Sequence, residues 1–131
     1  MAGTVRKGVF ETNSSSTHSI SIEEITTNDD QILKDGVLDL EEFWSNSIET
    51  NDYFHASSII VCDTFEKKLA LAFCLISEES DEYEMLMNMF NIKEVRNHEE
   101  YYIGDEDNDF DRVFKAIKKD NLKITRFYEY N

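Results

Sequence analysis

Asp63-Thr64-Phe65-Glu66-Lys67-Lys68-Leu69-Ala70-Leu71-Ala72-Phe73-Cys74-Leu75-Ile76 is the stretch on which the fold turns. Asp63 and Glu66 stand at capping-box spacing, and Phe65, Leu69, Ala72, Phe73 and Ile76 recur on one helical face. The spacing predicts a helix from Asp63, closed by residues 77–80. Asp81 with Glu84 then opens a second helix, in which Tyr83, Met87 and Phe90 form a stripe that Leu86 extends. Two antiparallel helices joined by a short acidic turn follow from this pattern. Just upstream, Ser58-Ile59-Ile60-Val61-Cys62 fits either a buried strand or the first turns of a helix, since periodicity alone does not separate them.

Working outward, residues 4–10 read as a short strand, residues 11–19 as a polar connection, and residues 20–25 as a second strand with one face buried. Together they predict a hairpin-like pair. Val37-Leu38-Asp39-Leu40 reads as a strand, and residues 41–48 as a short helix using Phe43, Trp44 and Ile48. Gly36 and Gly104 mark turns. Residues 93–103 are expected to be extended. Asp109 is expected to cap a third helix with the stripe Phe110, Val113, Phe114 and Ile117, whose basic end, Lys115, Lys118 and Lys119, suits the helix dipole. Residues 122–130 read as a closing strand. The expected fold is α+β: one domain over residues 1–131, with a small antiparallel or mixed sheet and about three packed helices.

The 131 residues carry 28 acidic against 13 basic side chains, a formal charge of −15. That balance argues against a protein that binds nucleic acid directly by neutralising phosphates, and against adhesion to anionic membranes. With 40% hydrophobic and 12% aromatic residues the chain has the material for a core, so disorder is not expected. Cys62 and Cys74 lie in the most apolar part of the chain without a CxxC or Cys/His cluster, which fits free thiols in a reducing compartment. No apolar segment of signal-peptide type follows Met1, and the longest apolar stretch, residues 69–76, is far too short for a membrane span. The expected location is the cytoplasm.

Charge is unevenly distributed. Residues 78–111 hold 13 acids against Lys93 and Arg96 alone, whereas the ends of the chain are mildly basic. Such a block predicts a negative surface that attracts cationic partners, although acids also serve simply to keep a small protein in solution. The alternation Asp105, Asp107, Asp109, Asp111 suggests a calcium loop, but an EF-hand starting at Asp105 needs glycine sixth and glutamate twelfth. Phe110 and Ala116 stand there, so the EF-hand reading fails. His55 and His98 have no partner at metal-ligand spacing, and neither a metal nor a cofactor is expected.

The polar connection gathers Glu11, Thr12, Asn13, Ser14, Ser15, Ser16, Thr17, His18 and Ser19. A hydroxyl such as Ser15 with His18 as base and Glu11 as its orienting group would make a nucleophile–base set. The same residues equally suit a loop whose side chains satisfy its own backbone in Asx- and ST-turns. No G-x-S-x-G elbow, phosphate loop or HExxH is present in the sequence. Tyr101-Tyr102 and residues 127–130 are candidate contact aromatics, or strand residues with one face in the core.

Residues 6–19, Arg-Lys-Gly-Val-Phe-Glu-Thr-Asn-Ser-Ser-Ser-Thr-His-Ser, resemble an N-terminal signature of small proteins from phages and mobile elements of Gram-positive bacteria. The likeness is close over these 14 residues. It continues only as a similar order of elements: a helical middle, an acidic turn, a short helix and a final strand. The resemblance implies a phage or mobile-element origin more strongly than any reaction, and a specific job for Asn13, Ser14, Ser15, Ser16 and His18, in folding the loop rather than in catalysis.

Combined with concentrated negative charge, that origin points to an inhibitor of host defence. The expectation is an anti-CRISPR-like protein, monomeric or homodimeric. It would bind the basic nucleic-acid channel of an effector nuclease through Glu78, Glu79, Asp81, Glu82, Asp105, Glu106, Asp107 and Asp109. Two other readings stand beside it: a small enzyme or ligand-binding protein using the loop at 11–19, and a phage structural or assembly factor.

Overall fold

The computed structural model describes residues 16–25, 33–52, 57–105, 108–119 and 121–130. Its centre is α2 (Phe65–Leu75), the helix expected from the quoted stretch. The N-cap is Thr64 rather than Asp63: its hydroxyl accepts from the Lys67 backbone N–H at 3.2 Å. More consequentially, α2 is not amphipathic. Every residue from Lys68 to Leu75 is buried, because an apolar run that fills all faces of a helix must be covered on all of them.

The cover comes first from an antiparallel four-stranded sheet. Strand β1 is Ser16–Glu24, and β2 (Val37–Asp39) leads into α1 (Leu40–Ser47). Strands β3 (Ile48–Asp52) and β4 (Ser57–Cys62) precede α2, so the ambiguous Ile59-Ile60-Val61 run is a strand. The last element is β6 (Leu122–Tyr130), and the sheet order is β1-β6-β4-β3. Register across it aligns Ile22 with Ile124 and Cys62, and Ile20 with Arg126 and Ile60. Directly opposed residues share a face, so these two rows form the buried side of the sheet. Residues 16–19, expected to be connection, extend β1: Thr17 lies opposite Glu129 and His18 opposite Tyr128.

The remaining elements close around the other sides of α2. Helix α3 (Asp81–Met89) starts at Ser80, whose hydroxyl caps the Tyr83 N–H. Ring contacts pair Phe73 with Tyr83 and Phe65 with Phe90, so the end of α2 meets the start of α3 and the reverse. The two helices are antiparallel, as their spacing predicts. Residues 93–103 depart from the expectation of extended chain. They form a three-residue strand β5 (Glu94–Arg96), parallel to β2, and a one-turn helix α4 (His98–Tyr101). The break falls at Asn97, whose left-handed φ of 65° turns the chain out of the strand.

Helix α5 (Asp109–Ile117) follows the acidic turn and buries Val113, Ala116 and Ile117. Its N-cap position is Asn108, not Asp109. The fold is α+β, with the buried apolar residues gathered in one cluster around α2. The expected strand at 4–10, and with it the hairpin-like pair, lies outside the described residues.

Two polar side chains tie this core together. Lys68, fully buried, donates from Nζ to the carbonyls of Ala116 at 3.1 Å, Lys119 at 2.6 Å and Leu122 at 3.0 Å. A helix end leaves carbonyls without intrahelical partners, and an ammonium carries three donors, so one side chain from α2 closes α5 and the turn into β6. Arg112 of α5 donates to the Ile20 carbonyl at 2.8 Å, joining that helix to β1.

Candidate functional site

At the C-terminal end of α2 the backbone carbonyls need partners, and the segment after β5 supplies them. His98 Nε2 lies 2.9 Å from the Phe73 carbonyl and 2.8 Å from that of Ile76. Both partners only accept, so Nε2 carries the proton and donates to both. The backbone N–H groups of Ile103 and Gly104 donate to the Cys74 carbonyl at 2.7 and 3.3 Å. Residues 98–104 therefore form a strap across the end of the central helix.

The strap is aromatic. The His98 ring meets Tyr83 edge-on, with centroids 5.1 Å apart, and stacks on Tyr102 at 5.6 Å. Tyr101 stacks on Trp44 of α1 at 5.9 Å. These contacts join α4 to α1 through Tyr101 and Trp44, and to α3 through His98 and Tyr83. Glu41 and Glu42 occupy the first turn of α1; Asp81, Glu82 and Glu84 that of α3; Glu99 and Glu100 that of α4. Local structure explains the placement, since a helix N-terminus favours carboxylates.

The tyrosine hydroxyls register this field. Burial, with the Glu78 charge adding to it, holds the Tyr83 hydroxyl above its ordinary pKa. Tyr101 is likewise raised, by desolvation and then by the charges of Glu41, Glu100 and Asp39. At Tyr101, carboxylates distant in sequence, Asp39 and Glu41 on one side and Glu100 on the other, act on the same ring.

Of the acids expected to contact a partner, Glu78, Glu79, Asp81 and Glu82 are exposed on the turn between α2 and α3 and the start of α3. Asp105 is exposed one residue beyond the strap, and its Oδ1 accepts from the Phe110 N–H at 2.9 Å at the start of α5. Asp109 requires correction. It is 3% exposed and faces Arg112 at 3.7 Å, so it serves the packing of α5 and presents nothing to a partner. Glu106 and Asp107 lie outside the described residues.

Glu41, Glu42, Glu99 and Glu100 are not among the acids expected from the sequence, and all four are exposed. The last two fall within the acidic block, and the signal was there. An extended 93–103 would have pointed neighbouring acids to opposite faces, whereas one helical turn groups them.

The alternative set is not assembled by the described geometry. Glu11 and Ser15 lie outside the described residues, and His18 is placed only by its backbone in β1. Cys62 and Cys74 are buried free thiols. Burial pushes the Cys74 thiol up to about 12, an effect partly opposed by the Trp44 side chain, and raises Cys62 strongly as well. Neither suits a nucleophile, which needs an accessible thiolate.

Among the described residues, no group of three or more His, Cys, Asp or Glu side chains is arranged to hold a metal ion. Nor is any helix among them long and apolar enough to cross a membrane. A shallow depression of about 470 Å³, lined by Leu33, Asp35, Phe65, Met89, Phe90 and Lys93, lies at the start of α2 and the end of α3. The acids described above are not among its lining residues. No family model, curated protein or solved structure matches the chain.

Proposed function

We propose that this chain is an acidic inhibitor of phage origin, anti-CRISPR-like in action, that docks on the basic nucleic-acid channel of a host defence nuclease. The observation that carries the reading is that α1, α3 and α4, each with exposed carboxylates in its first turn, are linked through the ring contacts of one aromatic strap. The carboxylates of Glu78, Glu79, Asp81, Glu82, Glu99 and Glu100 take places that phosphates of guide or target would occupy, and the channel is blocked without covalent chemistry. Asp105 sits at the border of this surface. The likeness of residues 6–19 to phage and mobile-element proteins supports the choice of target class.

Complementary charge accelerates encounter and makes it sensitive to salt. The test is target-DNA cleavage by purified, guide-loaded effector nucleases with the protein added. Inhibition by the wild type that is lost in Glu78→Lys/Glu79→Lys/Glu82→Lys supports the reading. Inhibition equally strong in that variant contradicts it, as does cleavage unaffected by the wild type across the effector types tried.

A further inference from the structure

Resting on the acidic-surface reading, we infer that Tyr102 and Ile103 form its arginine-selective anchor, so that the partner is recognised through guanidinium groups rather than through positive charge alone. These two neighbours are among the few large apolar side chains left exposed among the described residues, at 46% and 38%. Tyr102 rests on the His98 ring, with the planes 28° apart, and still keeps nearly half its surface in solvent.

The anchor is rigid. His98 is held by two carbonyls, and the N–H groups of Ile103 and Gly104 are held by a third. Ordering cost is therefore met before a partner arrives. Exposed Glu99, Glu100 and Asp105 lie within three residues of it along the chain, and exposed Glu78 stands two residues after Ile76, whose carbonyl accepts from His98.

An apolar, aromatic centre with a charged rim is the usual anatomy of a binding hot spot. The sign of this rim selects a cationic occupant, and the chemistry of the centre selects which cation. A guanidinium is planar and weakly hydrated. It stacks on an aromatic face while its edge donors reach carboxylates; an ammonium is compact and strongly hydrated and gains less from the ring.

The experiment uses oligoarginine and oligolysine of equal length, titrated into the full chain, with affinity by calorimetry and location by amide shifts. The wild type is expected to prefer oligoarginine, with shifts at Tyr102, Ile103 and Gly104. Tyr102→Leu keeps the apolar bulk and removes the ring, and should shrink the preference by about 3-fold or more; Tyr102→Phe should retain it. A preference unchanged in Tyr102→Leu overturns the inference and leaves the acidic-surface reading standing, as does equal affinity of the wild type for the two peptides. Failure of both peptides to bind the wild type overturns the two together.

Discussion

Lys68 shows how a single residue can carry a fold while looking out of place in its sequence. It begins an otherwise apolar run, yet its ammonium sits within 2.6–3.1 Å of three carbonyls at the end of α5 and in the following turn. Replacing it by methionine keeps most of the volume and removes the charged donor from all three carbonyls, of which those of Ala116 and Lys119 keep a backbone N–H partner. The expected cost is about 3 kcal/mol of unfolding free energy, read from urea denaturation. The two thiols give a second prediction at this scale. Their folded pKa values lie above the ordinary value of 9.0, Cys74 at about 12. Between those limits the unfolded chain has lost protons that the folded chain retains, so stability is full below pH 9 and falls as pH rises toward 12. Melting temperature measured across that range should drop, and replacing both cysteines by alanine should flatten the slope.

At the scale of elements, local signals decided more than composition did. The stripe of α5, the alternation of β1 and the closing strand β6 were all legible in the sequence, because each buries one face and its periodicity records which. Helix α2 was legible as a helix but not in its environment: five positions on one face were expected to be core, and the other faces are covered too. The one-turn α4 was not legible. Its four residues, His98–Tyr101, are too few for a period, and they hold their shape through tertiary contacts of His98 and Tyr101. Side-chain capping was read one residue out at α2 and α3, where Thr64 and Ser80 cap in place of Asp63 and Asp81; at α5 the N-cap Asn108 makes no side-chain cap bond, and Asp105 accepts from the Phe110 N–H instead. Ser80 matters beyond its own helix because α3 presents acids of the candidate surface. Ser80→Ala should cost about 1 kcal/mol of stability, measured by thermal or chemical unfolding, and Ser80→Asp should recover most of it.

For the whole molecule, the charge of −15 becomes a distribution with a structural cause. Carboxylates favour helix N-termini, and the first turns of α1, α3 and α4 each carry exposed ones. The basic residues at the end of α5 are placed elsewhere: Lys115 pairs with Asp111, Lys118 lies over the Phe114 ring, and Lys119 gives its backbone carbonyl to Lys68 of α2. Of the described candidate acids in the sequence block 78–111, Glu78, Glu79, Asp81, Glu82 and Asp105 are exposed and Asp109 is not. Asp109 is buried, and Glu41, far outside that block, acts on Tyr101 within it. A one-dimensional count has no access to either fact.

The central claim is that this surface displaces nucleic acid from a basic channel. Its most direct test is inhibition of DNA cleavage by a guide-loaded effector nuclease, measured at low and high salt for the wild type and for Glu78→Lys/Glu79→Lys/Glu82→Lys. The account predicts strong inhibition by the wild type that weakens by about 10-fold or more as salt rises from roughly 0.05 to 0.5 M, and little inhibition by the variant at either salt. Inhibition that is indifferent both to salt and to the three reversals would contradict it.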